Sequence, residues 1–549
     1  MADFAPNLDD YERIRRTFRL EVPERFNYAR DVVDVRARAT PNALALLAAG
    51  PDGEVTDRFT FADLSRVSNR AANVLAAHGV GKGDRVFVML PRVPEWHLAI
   101  LGCLKLGAVP MPGTPLLTPR DAAYRIGAAD AVAAITDAEG AQKISAVGQE
   151  CPSLKTLICA GAEQLGGPWL DWRSLVERSS ETAPETEPTA AEDPMILYFT
   201  SGTTGYPKMV LHTHASYGIG HEITARFWMD LHEGDLHWTV SDTGWAKAAW
   251  GLMFGQWRLG AAVFLWDQRG KPDFDTLLSL IGRHRVTTFC APPTVFRSVV
   301  QGDLARFDWS SLRHVVSAGE PLNPEVMREW ADATGRPIHD GYGQTETVNL
   351  VANYRTVPIR PGSMGKPTPG FDVQVVDHLG NMLGPGETGH IGVRVSPERP
   401  VGLFREYWRD PKATENSRIG DFYDTGDLAW ADEDGYLWFV GRADDVITSS
   451  AYRIGPFEVE SALIEHGAVA ETAVVGKPDE LRGEIVKAFV ALKPGFEPGP
   501  ELAKELQDHV KRLTAPYKYP REIEFLEELP KTVSGKIRRV ELRERERGR

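Results

Sequence analysis

The stretch Thr200-Ser201-Gly202-Thr203-Thr204-Gly205-Tyr206-Pro207-Lys208 gathers hydroxyl donors, two glycines and an ammonium into one short segment. Ser201, Thr203 and Thr204 can donate to phosphate oxygens, Gly202 and Gly205 let backbone approach a ligand closely, and Lys208 supplies positive charge. The GxxxxGK[ST] spacing is absent, and Pro207 disfavours the helical conformation at Tyr206. No helix N-terminus therefore stands where a P-loop kinase or ATPase needs one. On composition alone the stretch also reads as a Gly/Ser/Thr turn between two strands. Downstream, five histidines fall between His212 and His237, with His212 and His214 nearest to ligand spacing. No acidic or cysteine partner at a fixed spacing completes a tetrahedral set, so no transition-metal centre is expected there.

The elements that must hold these residues can be read from periodicity. Met195–Phe199 is an apolar run that reads as a buried strand leading into the loop, and Ser179–Asp193, rich in Pro, Glu and Thr, reads as a solvated surface connection. Between about residues 30 and 150, amphipathic helices (Phe61 to Leu75, Trp96 to Leu106) alternate with buried strands (Asp84 to Leu90, Ala108 to Met111, Asp130 to Thr136). That is the grammar of an α/β fold with parallel sheets. Near residues 370–440, Phe371–Val376 and Gly389–Val395 alternate with glycine turns and predict a distorted β-barrel. From Val446 onward the order strand, helix, strand, strand, helix, strand predicts a compact α+β unit. The boundary is expected near Arg442–Asp445, giving domains 1–443 and 444–549.

A chain of 549 residues exceeds what one core supports. Its net charge of -14 argues against nucleic acid or an anionic membrane as partner. The four cysteines lack CxxC spacing, the N-terminus carries early acids and no apolar core of a signal, and the most apolar window, Trp96–Met111, is interrupted by Lys105. A cytoplasmic enzyme without integral membrane contact is expected.

The loop gains meaning from five downstream motifs, in chain order Ser317-Ala-Gly-Glu-Pro321, Asp340-Gly-Tyr-Gly-Gln-Thr-Glu-Thr347, Tyr423-Asp-Thr-Gly-Asp427, Gly441-Arg-Ala-Asp-Asp445 and Pro530-Lys-Thr-Val-Ser-Gly-Lys536. Together these resemble the motifs of the adenylate-forming superfamily of acyl-CoA synthetases, adenylation domains and luciferases. Ser449–Glu460 and Ala515–Pro520 look most like medium-chain acyl-CoA synthetases. The resemblance implies two half-reactions. A carboxylate attacks the ATP α-phosphate and releases pyrophosphate; the CoA thiol then attacks the acyl-adenylate and releases AMP.

The resemblance also implies roles. Thr200 to Lys208 hold the β- and γ-phosphates; Glu346 supports Mg²⁺ and Thr345 donates to the α-phosphate. Gly319, Glu320 and Pro321 wall the adenine, beside Asp340 and Gly341, with Tyr342 stacked on the base. Asp427 accepts from the ribose hydroxyls and Arg442 offers a second contact. Lys536 neutralises charge in the adenylation transition state, and Asp444 is the hinge about which the C-terminal unit turns. Trp245, Gly343 and His214 are expected at the acyl pocket, with Ala248, Ala249 and Gly251 leaving room for a medium-chain fatty or aromatic acid. For CoA, Ala451, Tyr452, Arg453, Lys477, Arg482 and Lys518 are candidates. Ala451 departs from the glycine that relatives carry there, which leaves open an alternative enzyme that hands its acyl group to a carrier protein. The partners implied are a small carboxylic acid, ATP and CoA, and a homodimer is compatible with them.

Overall fold

The computed structural model describes residues 4–161, 167–200, 207–270, 273–449, 452–479, 482–515, 517–532 and 536–547. Ser201, Gly202, Thr203, Thr204, Gly205 and Ala451 lie outside them, and the side chain of Arg453 is not described either.

The first sheet is parallel throughout, in the order Val109–Pro112, Arg85–Met89, Ala133–Asp137, Thr156–Ala160, Leu170–Asp171. Its strands are short and apolar because helices cover them. The helix Phe61–Ala77 starts on a reciprocal Thr60–Asp63 capping box and buries Phe61, Leu64, Ala71 and Leu75. Against it packs Pro94–Leu106, buried along nearly its whole surface. At their crossing a Cβ on Gly102 would lie 2.9 Å from that of Ala71. The connection 179–193 is a surface strap as expected, though a tethered one. Asn73 donates to the carbonyls of Ser180 and Thr182, and Arg30 to that of Pro184 and the Thr186 hydroxyl.

The second sheet has nine strands and holds the cleft. Its parallel centre runs Ile338–Tyr342, His314–Ala318, Thr288–Ala291, Leu236–Thr239, Ala262–Trp266, Leu44–Ala49, and antiparallel strands close both edges. In such sheets ligands bind beyond the carboxyl ends of the strands. A separate three-stranded sheet carries the hairpin Pro194–Thr200 and Lys208–Thr213, flanked by Glu406–Tyr407. The barrel-like region is antiparallel: Val373–Val376, Thr388–Arg394 and Phe422–Ala431 pair in that order, and Leu437–Arg442 adds to the last.

The C-terminal unit builds its own sheet from Tyr452–Ile454, Ile447–Ser449, Gly483–Leu492 and Val469–Asp479, with Glu522–Phe525 joining in parallel. Val459, Leu463, Val474, Val490, Leu506 and Val510 form a core separate from that of the large domain. The fold class is therefore mixed α/β with a smaller α+β unit behind it, as the residue pattern predicts.

Candidate active site at the strand ends

Hydrogen-bonding register brings the motifs together. Ser317 pairs with Asp340 and Ala318 with Gly341, so Gly319–Pro321 and Tyr342–Glu346 leave adjacent strands side by side. Gly341 has to be glycine: a Cβ there would lie 2.5 Å from the Trp228 ring. Gly319 sits at φ +111, exposed on the cleft, a conformation that suits glycine. Gly343 is also exposed, but a Cβ would meet the Val348 carbonyl at 2.7 Å. Close backbone approach accounts for that residue.

Asp427 is the centre of one polar cluster. The Tyr342 hydroxyl donates to its Oδ2 at 2.5 Å, Gln344 donates to the same oxygen at 2.8 Å, and Arg442 reaches Oδ1 at 3.2 Å. Burial pushes the Asp427 carboxyl up, and the Arg442 guanidinium pulls it back. Both oxygens expected to receive ribose hydroxyls thus hold protein donors, and Tyr342 anchors the carboxylate by its hydroxyl.

Glu346 is the centre of the second. Its Oε1 accepts from the Tyr407 hydroxyl at 2.8 Å, and the Lys208 ammonium lies 4.7 Å over the Tyr407 ring. Lys208 faces Thr200 across the hairpin, so the ladder aims the end of the Thr200–Lys208 loop at Glu346. Burial raises the Glu346 carboxyl; the Tyr407 hydrogen bond and the charges of Lys208 and Arg442 oppose the shift. The Thr345 carbonyl accepts from His212 Nε2 at 2.7 Å, which leaves His212 Nδ1 to accept from the Ser216 hydroxyl. Burial drops the His212 pKa to about 3.

His214 does not line the cleft, contrary to expectation. Thr213 caps the wide helical turn His214–Ile219, and this turns His214 into the core, fully buried, with Nδ1 accepting from the Tyr28 amide at 3.3 Å. The room expected next to Trp245 is also filled. Ala248 and Ala249 are buried, and a Cβ on Gly251 would lie 2.6 Å from the Thr239 side chain. The side chain that reaches the cleft from this segment is Lys247, which the sequence reading missed. Its ammonium donates to the Ala318 carbonyl and lies 3.0 Å from where a Gly319 Cβ would stand. The visible signal was a single charge inside the apolar run Ala246-Lys-Ala-Ala-Trp-Gly-Leu252.

Near these strand ends lie Glu320, held by Arg297 at 3.0 Å, and Asp340, whose carboxyl burial lifts to about 8 against hydrogen bonds from the Gly341 and Leu322 amides. Lys536 sits in a turn where Thr532 and Lys536 exchange hydrogen bonds, and its charge depresses the Lys247 pKa, which burial has already lowered. At the start of the C-terminal unit, Arg543 bonds the Asp444 carbonyl at 3.3 Å and pairs with the Asp445 carboxylate; across the boundary, Asn323 donates to the Ser461 carbonyl at 3.4 Å.

The CoA candidates divide. Tyr452 is exposed and stacks on Tyr517 at 4.1 Å, and Arg482 is exposed. Lys518 pairs with Glu458 at 2.5 Å. Lys477 offers little to an outside phosphate, because its ammonium is taken by both oxygens of Glu522 at 2.9 and 2.8 Å within the sheet's own carboxylate cluster.

Comparison with known proteins shows the family. Residues 33–408 match the family described as AMP-binding enzyme, and residues 458–536 match its C-terminal domain. The chain is 48% identical over 551 residues to the mitochondrial acyl-coenzyme A synthetase ACSM4 of Homo sapiens, covering 99% of this chain and 94% of that protein. To human ACSM3, likewise a mitochondrial acyl-coenzyme A synthetase, it is 46% identical over 98% of this chain and 93% of the other. The crystal structure of the anthranilate CoA ligase AuaEII in complex with anthranoyl-AMP superposes with a TM-score of 0.87 at 31% identity, covering 96% of this chain and 98% of that one. An acyl-CoA synthetase from Brucella canis gives 0.73 at 38% identity, over 100% and 98% of the two chains. The chain belongs to the AMP-binding enzyme family.

Proposed function

We propose that this chain is an ATP-dependent acid–CoA ligase acting on a medium-chain fatty or aromatic carboxylic acid. One observation carries the reading most directly. The turn holding Lys536 lies close enough to the strand-end cleft for its charge to act on Lys247, which touches Ala318 beside Gly319. A mobile C-terminal ammonium at that place neutralises the charge that builds up when a carboxylate approaches a triphosphate. The relatives support the acid class: their names specify acyl-CoA and anthranilate CoA ligation.

In the first half-reaction the acid's carboxylate oxygen forms a bond to the α-phosphorus as the bond to pyrophosphate breaks. Lys208 and the Thr200 end of the loop hold the outer phosphates. Lys536 bridges the carboxylate and α-phosphate oxygens, and Thr345 donates to the α-phosphate. Tyr342, Gln344 and Arg442 orient Asp427 toward the ribose. Glu346 fits Mg²⁺ by chemistry, since a hard cation takes oxygen ligands and this carboxylate stands beside Lys208 with one oxygen fixed by Tyr407. When bound, the ion would neutralise charge on the triphosphate. In the second half-reaction the CoA sulfur bonds to the acyl carbon and AMP leaves. Lys536 must first withdraw, and we assign the turn to the unit 444–549 pivoting at Asp444. Tyr452, Arg482 and Lys518 then serve the CoA side.

The reading is tested by supplying ATP, Mg²⁺, CoA and a mixture of straight-chain, branched and aromatic acids, then weighing the thioesters. Medium-chain or aromatic acyl-CoA is expected, and no pyrophosphate release with any acid would refute it. The four cysteines are buried and unpaired, which suits the reducing cytoplasm proposed for it. No helix among the described residues is long and apolar enough to cross a membrane. Sedimentation of the purified chain tests for a homodimer.

A further inference from the structure

Lys247 stands two residues after Trp245 in a segment of small and apolar side chains. Its neighbours Ala248 and Ala249 pack into the core, whereas its own ammonium reaches the carboxyl end of His314–Ala318 and donates to the Ala318 carbonyl. The same nitrogen stands 3.0 Å from the place a Gly319 Cβ would take, and Gly319 is exposed on the cleft. Lys247 is half-buried, and a neutral carbonyl does not balance an ammonium drawn partly out of water.

The charged and titratable groups facing it are Lys536, Glu320, Asp340 and Cys290. Glu320 is held by Arg297 at 3.0 Å. Burial keeps Asp340 protonated at neutral pH and lifts the Cys290 thiol to about 11. Lys536 carries the same sign as Lys247. Among the described residues no carboxylate forms an ion pair with Lys247, so two cations from distant parts of the chain face one cleft without a protein anion of their own. Like charges placed this way repel unless an anion stands between them.

We propose that Lys247 is an anion-binding residue of the acid subsite, and that its ammonium and that of Lys536 bracket the carboxylate of the incoming acid. The inference rests on the acid-activating function proposed for the chain and deepens it. Closure of the C-terminal unit then depends on the acid being in place, because the carboxylate turns repulsion between the two lysines into attraction to a shared ion.

The test compares wild type with Lys247→Met and Lys247→Gln, using ATP–pyrophosphate exchange with hexanoate and competition by hexanamide, the uncharged analogue. Loss of one charge-assisted contact should raise the KM for hexanoate on the order of 10- to 100-fold. The KM for ATP and the inhibition by hexanamide should change less than about threefold. Wild type itself, titrated with a non-hydrolysable ATP analogue present, should bind hexanoate at least about tenfold more tightly than hexanamide. That measurement holds even where both variants misfold. An unchanged or lower hexanoate KM in the variants, equal losses for acid and amide, or equal binding of the two by wild type would show that Lys247 merely fills space. A wild type that exchanges no pyrophosphate with any acid would instead remove the functional reading on which the inference stands.

Discussion

Acidification should unfold this protein well above the usual carboxylate range, because so many of its histidines are buried uncharged. Burial brings His212, His214, His237 and His314 to about 3 and His97 to about 4. Each titrates near 6.5 in an unfolded chain. The folded values are depressed, so the unfolded state takes up protons first as pH falls. Stability is therefore complete above about pH 7 and declines from pH 6.5 downward. Between pH 7 and 5.5 each histidine costs on the order of 1 kcal/mol, or about 6 kcal/mol for the five together. Asp340 works the other way. Its folded carboxyl, at about 8, is already protonated, while the unfolded one is ionised until about pH 4. The same acidification returns about 2 kcal/mol through it. The five histidines and Asp340 together leave a loss on the order of 4 kcal/mol, to which His221 and His339, also held well below 6.5 by burial, add; that is a large share of the 5–15 kcal/mol typical of a folded domain. Urea unfolding of wild type at pH 7 and 5.5 reads the loss as a fall in midpoint. His237 isolates one contributor, since burial alone lowers it and its nitrogens bond only the Thr288 and Thr239 hydroxyls at 2.7 and 2.8 Å. His237→Asn should reduce the pH-dependent loss by about 1 kcal/mol. A wild-type loss below about 1 kcal/mol, or an identical pH dependence in the variant, would refute the reasoning.

Other perturbations separate the parts of the site. Lys536→Ala should abolish ATP–pyrophosphate exchange while thioester formation from supplied acyl-AMP persists; normal exchange would remove Lys536 from the first half-reaction. Ala451→Gly should speed single-turnover thioester formation several-fold, because the methyl group adds bulk, and strain of about 1 kcal/mol if the backbone there is left-handed. Equal rates would show that the departure from glycine is harmless. Gly341→Ala should destabilise the large domain by about 2–3 kcal/mol, since its Cβ would stand 2.5 Å from the Trp228 ring. An unshifted melting curve would mean that the strand ends relax freely.

Local pattern made most of the architecture legible. The stripe in Phe61–Ala77 needed only its own sequence and the Thr60–Asp63 cap, and the apolar run of Arg85–Met89 could hardly be other than a covered strand. The hairpin around the Thr200 loop was likewise readable, as two strands meeting at a glycine-rich turn. What escaped was set by convergence of distant segments. His214 has the chemistry of a ligand, and only the Thr213 cap decides that it faces Tyr28 instead of the cleft. Small residues at 248, 249 and 251 suggested space, but Ala248 and Ala249 are buried and the Thr239 side chain already stands where a Gly251 side chain would go. The Tyr407 contact to Glu346 joins segments 61 residues apart and obeys no spacing rule.

Lysine placement ties these levels together. Lys208 is fixed by a hairpin register, Lys247 by a short helix docked on the strand ends, and Lys536 by a turn in a separate unit. Any one of them, seen in the sequence, is an ordinary surface cation. Lys208 stands beside Glu346, and the charge of Lys536 acts on Lys247, near a protonated Asp340 and an already paired Glu320. Positive charge is thus concentrated where a carboxylate and a triphosphate must meet, in a chain whose net charge is -14. Overall charge therefore excludes polyanions from the surface at large, and the fold reverses the sign at one cleft. On the function proposed above, Lys536 adds to that reversal only while the C-terminal unit is closed, so charge and domain position would form a single variable in the first half-reaction. On the proposal above, bonding of the acid's oxygen to the α-phosphorus removes the carboxylate's charge from between Lys247 and Lys536, and the repulsion this restores would favour the withdrawal of Lys536 before CoA enters.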